Sequence, residues 1–155
     1  MTVRLAKQDD VKRILDLLSE VLEIHHRGRP DIFKPNTVKY TENELLSMLG
    51  DENSPIFVVE KATRVVGYAF CIIEETKSNN ILYDARSLYI DDLCIDENER
   101  GSGIGRALYE HVCEYARSIG CTSITLNVWE CNEGAKRFYE KLGMLPKKTV
   151  MEKLL

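Results

Sequence analysis

The stretch Leu93-Cys94-Ile95-Asp96-Glu97-Asn98-Glu99-Arg100-Gly101-Ser102-Gly103-Ile104-Gly105-Arg106 is where residue type and spacing point most directly to chemistry. An apolar, strand-like run enters a glycine-rich loop, and the loop opens a helical pattern. Backbone N–H groups at such a helix start have no intrahelical acceptor and no side chains in front of them, which suits a phosphate or pyrophosphate. A plain turn is the alternative reading. The common nucleotide loops do not fit. There is no Gly-Lys-Ser/Thr, and a G-x-G-x-x-G pattern fails because Arg106 and Leu108 stand where the third glycine belongs. Metal chemistry has no support either. The five cysteines, Cys71, Cys94, Cys113, Cys121 and Cys131, form no C-x-x-C pair, and His25, His26 and His111 form no ligand-spaced cluster, so neither a metal nor a disulfide framework is expected.

The elements that must position this loop follow from periodicity and turn signals. Val3 to Leu5 reads as a first strand, and Val11, Ile14, Leu15, Leu18, Val21 and Leu22 recur at helical spacing. The run His25 to Asp31 breaks that helix, with Gly28 ending it and Pro30 disfavouring helical geometry at Arg29. Thr41 and Glu44 make a capping-box signature for a short second helix that ends at Gly50. Ile56 to Glu60 and Val65 to Ile73 read as a hairpin, Glu74 to Arg86 as a connection, and Ser87 to Ile95 as a fourth strand. A third helix is expected from about Gly103 to Ile119, a fifth strand over Ser123 to Val128, a fourth helix over Asn132 to Leu142, and a last strand over Lys148 to Leu154. This order describes an α/β sandwich around a mixed sheet.

With 155 residues, 44% hydrophobic and 30% charged, the chain is expected to be one folded domain spanning 1–155. A net charge of −4 argues against a nucleic-acid partner. No apolar run is long enough to span a bilayer and Met1 to Asp10 lacks a signal-peptide core, so no membrane partner and a cytoplasmic location are expected.

The remaining pattern, Arg100-x-x-Gly103-x-Gly105, resembles the GNAT superfamily of acetyl-CoA-dependent N-acetyltransferases, and the resemblance covers nearly the whole chain. It implies a mixed, mostly antiparallel central sheet flanked by helices, with a splay between strands 4 and 5, and acetyl-CoA as cofactor. Arg100, Gly101, Ser102, Gly103, Ile104, Gly105 and Arg106 would hold the CoA pyrophosphate. The Leu93 N–H would face the thioester carbonyl, and Cys94 and Ile95 would lie along the pantetheine arm. The run Asn132-Glu133-Gly134-Ala135-Lys136-Arg137-Phe138-Tyr139-Glu140-Lys141-Leu142-Gly143 is similar to the family's strand 5 to helix 4 segment, with Met144 replacing the usual aromatic residue. By this likeness Tyr139 protonates the departing thiolate, a phenol of pKa near ~10 serving a thiol near ~8.5. Asn132 would cap the fourth helix and face the cofactor arm.

An acceptor amine arrives as ammonium, with on the order of one molecule in a thousand neutral at pH 7, so a base must assist. Asp91 and Asp92 are the candidates. Strand alternation sends them to opposite faces, and Asp91 matches the acidic residue of the spermidine/spermine acetyltransferase branch, to which this stretch is similar, so Asp91 is the expected base and Asp92 the lesser contributor. Glu130 is held in reserve. His25 and Asp31 would border the acceptor pocket, the carboxylate to hold an ammonium and the imidazole to relay a proton. The expected acceptor is a small-molecule amine, polyamine-like or other. A protein N-terminus or lysine, and a non-catalytic acyl-CoA-binding module on the same fold, remain as alternatives. The resemblance also allows a homodimer.

Overall fold

The computed structural model describes residues 1–155. Five strands, β1 (Thr2–Leu5), β2 (Ile56–Lys61), β3 (Arg64–Thr76), β4 (Ala85–Ile95) and β5 (Ser123–Leu126), form one sheet in sequential order. Neighbours are antiparallel except β4 and β5, which run parallel. A parallel pair needs a crossover, and α3 (Ile104–Ser118) supplies it. Helices α1 (Val11–Gly28) and α2 (Glu42–Met48) cover the opposite face, and α4 (Glu133–Lys141) follows β5.

The two long helices bury the stripe that their spacing prescribes. On α1, Val11, Ile14, Leu17 and Leu18 are buried; on α3, Ile104, Leu108, Val112 and Ala116 are. One apolar layer joins α3 to Phe57, Val59, Leu88 and Ile90, and the other joins α1 and α2 to Val58, Tyr68, Phe70 and Cys94. The capping box of α2 forms as read: the Glu44 N–H donates to Thr41 Oγ1 at 3.3 Å, and the Thr41 N–H donates to Glu44 Oε2 at 2.7 Å.

Two irregularities in β4 shape the site. Pairing with β3 steps from Cys71↔Ile90 to Phe70↔Asp92, so Asp91 is the extra residue of a β-bulge. The bulge inverts the facing of everything after it. Leu88 and Ile90 pack toward α3, yet Cys94, an even number of residues beyond them, packs toward α1, while Leu93 and Ile95 take the α3 side. The second irregularity is the splay. β5 pairs only with Ser87 to Ile90, so Asp92 to Ile95 pair with β3 alone, and from Asp91 onward the other backbone edge has no strand beside it.

The structure departs from the sequence reading at three places. β3 and β4 extend into the expected connection, leaving residues 77–84 between them. α1 runs through Gly28, so His25 and His26 lie in its last turns rather than in a loop. Lys148 to Leu154 form no strand. Alternating apolar residues give β propensity, but a strand needs a ladder partner, and Val150, Met151 and Leu154 stand exposed with none. No helix is long and apolar enough to cross a membrane.

Candidate active site

The loop after β4 is anchored before it turns. Asp96 is buried and accepts from the Asn98 N–H at 3.0 Å, from Asn98 Nδ2 at 3.1 Å, from Arg64 at 3.0 Å and from Arg13. Burial alone would raise its pKa; the Asn98 hydrogen bonds and the two arginines outweigh that and hold it below its ordinary value. Arg100 Nε donates back to the Ile95 carbonyl at 3.0 Å, which closes the loop on the strand end. Gly101 and Gly103 have φ of +77° and +85°, a left-handed conformation that strains other residues, and a Cβ at either would meet nothing within 4 Å. Gly103 is the N-cap of α3 and supplies no side-chain acceptor, so the first N–H groups of the helix have neither an intrahelical acceptor nor a side-chain cap. This cradle fits a pyrophosphate. Gly105 differs: a Cβ there would come within 3.2 Å of Phe138 Cζ and 3.5 Å of Ile95 Cγ1, so its smallness lets α3 approach α4.

Tyr139 is carried on α4, whose start is fixed by Asn132: its Oδ1 accepts from the Ala135 N–H at 3.1 Å, the cap read from the sequence. The Tyr139 ring is half-buried, 5.1 Å from Phe138. Burial, then the neighbouring charge of Asp92, push its phenol well above the ordinary value, so it keeps its proton.

The bulge changes the expected facing of the two aspartates. Alternation would send Asp91 and Asp92 to opposite faces; instead both stand within electrostatic reach of Lys39, as consecutive bulge residues can. Asp91 Oδ2 accepts from Lys39 Nζ at 2.8 Å. Asp92 Oδ2 accepts from the Tyr68 hydroxyl at 3.1 Å. Burial pushes the Asp92 carboxyl up to about 6, although Lys39 and the Tyr68 hydrogen bond pull the other way. Asp92 and Tyr139 therefore share one neighbourhood on the open side of β4.

The outlying candidates are placed less centrally. His25 lies 5.0 Å from the Phe33 ring, which meets Trp129 edge-on at 5.2 Å. Burial, then the charge of Lys39, hold its imidazole below the ordinary range, so it is neutral at pH 7. Asp31 is engaged by Arg29 at 2.7 and 2.9 Å, and Arg29 also reaches Glu152 at 2.9 Å. Glu130 pairs with Lys136 at 2.9 and 3.0 Å on the exposed start of α4. Both carboxylates are exposed and already carry a cationic partner, with accepting capacity to spare. Sequence reasoning missed Lys39, Tyr68 and Asp96. Only Tyr68 carried a usable signal, as a hydroxyl-bearing residue two positions before Phe70 in a strand of otherwise apolar residues.

A model of the acetyltransferase (GNAT) family matches residues 18–144. The chain is 34% identical over 89 residues to the glucosamine 6-phosphate N-acetyltransferase of Trypanosoma brucei brucei, which covers 57% of this chain and 56% of that protein, little more than half its length. It is 27% identical over 135 residues to the thialysine N-epsilon-acetyltransferase of Mus musculus, covering 86% of this chain and 76% of the relative. Among solved structures, the tetramutant of the BH1408 protein from Bacillus halodurans superposes with a TM-score of 0.95 at 33% identity, covering 100% of both chains.

Proposed function

The chain belongs to the acetyltransferase (GNAT) family and is an N-acetyltransferase, and on that premise we propose that it transfers acetyl from acetyl-CoA directly to a primary amine of a small molecule. The observation that carries this reading is a continuity. The unpaired backbone edge of Asp91 to Ile95 runs into the uncapped start of α3, with Tyr139 and Asp92 alongside. In this reading the N–H groups of the Arg100 to Arg106 loop hold the pyrophosphate, and the main chain of Leu93, Cys94 and Ile95 pairs with the pantetheine arm. Asn132 keeps its amide nitrogen for that arm while its oxygen caps α4. Acetyl-CoA bound there supplies an acetyl group activated as a thioester.

The protein's own groups handle two protons. An attacking amine becomes strongly acidic as its nitrogen bonds to carbon, and Asp92, raised to about 6, is placed to take that proton near neutral pH. The phenol of Tyr139, kept protonated by burial and by Asp92, donates to the sulfur that leaves. The geometry favours Asp92 over Asp91 for the base, because Asp91 is paired with Lys39. Neutral His25, with Phe33 and Trp129, forms an aromatic wall for the acceptor.

The same reading takes residues 1–155 as one acetyltransferase domain working in the cytoplasm. It includes a homodimer, in which the exposed Val150, Met151 and Leu154 would find a partner. The test is release of CoA thiol from acetyl-CoA across polyamines, amino acids, amino sugars, aminoglycosides and peptides. Turnover with small amines supports the proposal; turnover with peptides alone moves the acceptor to protein N-termini or lysines.

A further inference from the structure

Lys39 lies in the segment between α1 and α2 and reaches across to the bulge of β4, where its Nζ meets Asp91 at 2.8 Å. Its ammonium stands 5.5 Å from the centre of the Tyr40 ring, and Tyr40 stacks on Phe70, the residue paired with Asp92. The cation is thus held over the bulge by its own segment, with its side chain 30% exposed. Around it the carboxylates outnumber the cations. Asp91 and Asp92, both from β4, face it, and behind them α1 carries Glu20, whose Oε2 is buried with no donor and lies in electrostatic reach of Tyr68 and Cys94.

A primary ammonium on a flexible methylene stem is also what an amine acceptor brings to this place. Resting on the reading of the site as an amine acetyltransferase, we propose that Lys39 is a tethered counter-ion that a dicationic acceptor must displace from Asp91, so that Lys39 sets how strongly the enzyme selects for acceptors carrying a second ammonium. An acceptor with one amine reaches Asp92 and leaves the Lys39–Asp91 pair in place. An acceptor with two competes with a lysine whose tether keeps it at high local concentration. Half-exposed ion pairs of this kind are worth up to about 1 kcal/mol, so the competition amounts to about a two- to fivefold effect on KM.

The experiment compares Lys39→Met, which keeps the stem and deletes the charge, with Lys39→Arg, which keeps the charge. Cadaverine and pentylamine serve as matched probes differing by one amine, each read as acceptor or as inhibitor of CoA release. Lys39→Met is expected to lower KM or Ki for cadaverine about two- to fivefold, with little change for pentylamine, and Lys39→Arg to follow the wild type. A second readout separates this from loss of structure. The groups facing Asp92 are Tyr68 from β3, Asp91 and Cys94 from β4, Tyr139 from α4 and Lys39, with Glu20 on α1 beside Tyr68 and Cys94. Lys39 is the cation that lowers the Asp92 pKa, so the acidic limb of kcat/KM should move to higher pH in Lys39→Met and stay in Lys39→Arg. A cadaverine constant that rises or stays level in Lys39→Met, or a shift equal for both probes, overturns the inference. Absence of CoA release with every amine in the wild type overturns the transferase reading beneath it.

Discussion

Replacing Asp92 with asparagine should make the protein more stable and less active, and the structure gives the size of the first effect. Asn keeps the shape and an oxygen for the Tyr68 hydroxyl, so packing is preserved while the charge is lost. The carboxyl moves from its ordinary 3.8 to about 6 on folding, chiefly through burial. At about 1.4 kcal/mol per pH unit, this corresponds to a penalty of about 3 kcal/mol for holding the ionised form. The sign follows from the raised folded-state value. Below pH 3.8 both states are protonated and there is no penalty. Between 3.8 and 6 the unfolded chain ionises first and stability falls, and above 6 the full penalty applies. Asp92→Asn should therefore match the wild type near pH 4 and exceed it at pH 7.5. The value of about 6 already includes the attraction to Lys39, so the gain corresponds to a rise in Tm of about 6 to 12 °C. Thermal melts from pH 4 to 8 read this directly, and kcat/KM should fall by ~10² to 10⁴ in the same variant. Equal Tm at both ends of the range, together with wild-type turnover, would refute the assignment of Asp92 as a buried base.

Tyr139→Phe removes one hydroxyl and keeps the ring, so kcat should fall by ~10² to 10⁴ while calorimetric affinity for acetyl-CoA is retained. The two glycines should fail differently. Gly103→Val places a branched side chain at φ +85° over the α3 start and should abolish acetyl-CoA binding and lower Tm through backbone strain, whereas Gly105→Val should lower Tm by driving into Phe138. Leu108→Ala, at a fully buried position of α3, should cost about 2 to 5 kcal/mol by denaturant titration.

The parts of this site that could be read from the sequence are those that depend on local chemistry. Gly103 needs its left-handed backbone, Asn132 caps the helix three residues ahead of the N–H it accepts from, and the stripe from Ile104 to Ala116 follows helical spacing. What could not be read depends on pairing between strands. Nothing local to Asp91 says that β3 will skip it, and that single skip decides the facing of Asp92, Leu93 and Cys94. Lys39 escaped for the same reason, since its partner is 52 positions away. The expected last strand failed in the converse way: Lys148 to Leu154 have the right residues, but no strand of this chain lies beside them.

The central claim is direct transfer between two substrates held together at the splayed edge of β4, and initial-rate kinetics test it. Rates are measured against acetyl-CoA at several fixed concentrations of the best amine acceptor. Direct transfer predicts double-reciprocal lines that intersect, the signature of a ternary complex. Parallel lines would mean that acetyl first rests on a protein group and CoA departs before the amine arrives, and would contradict the account.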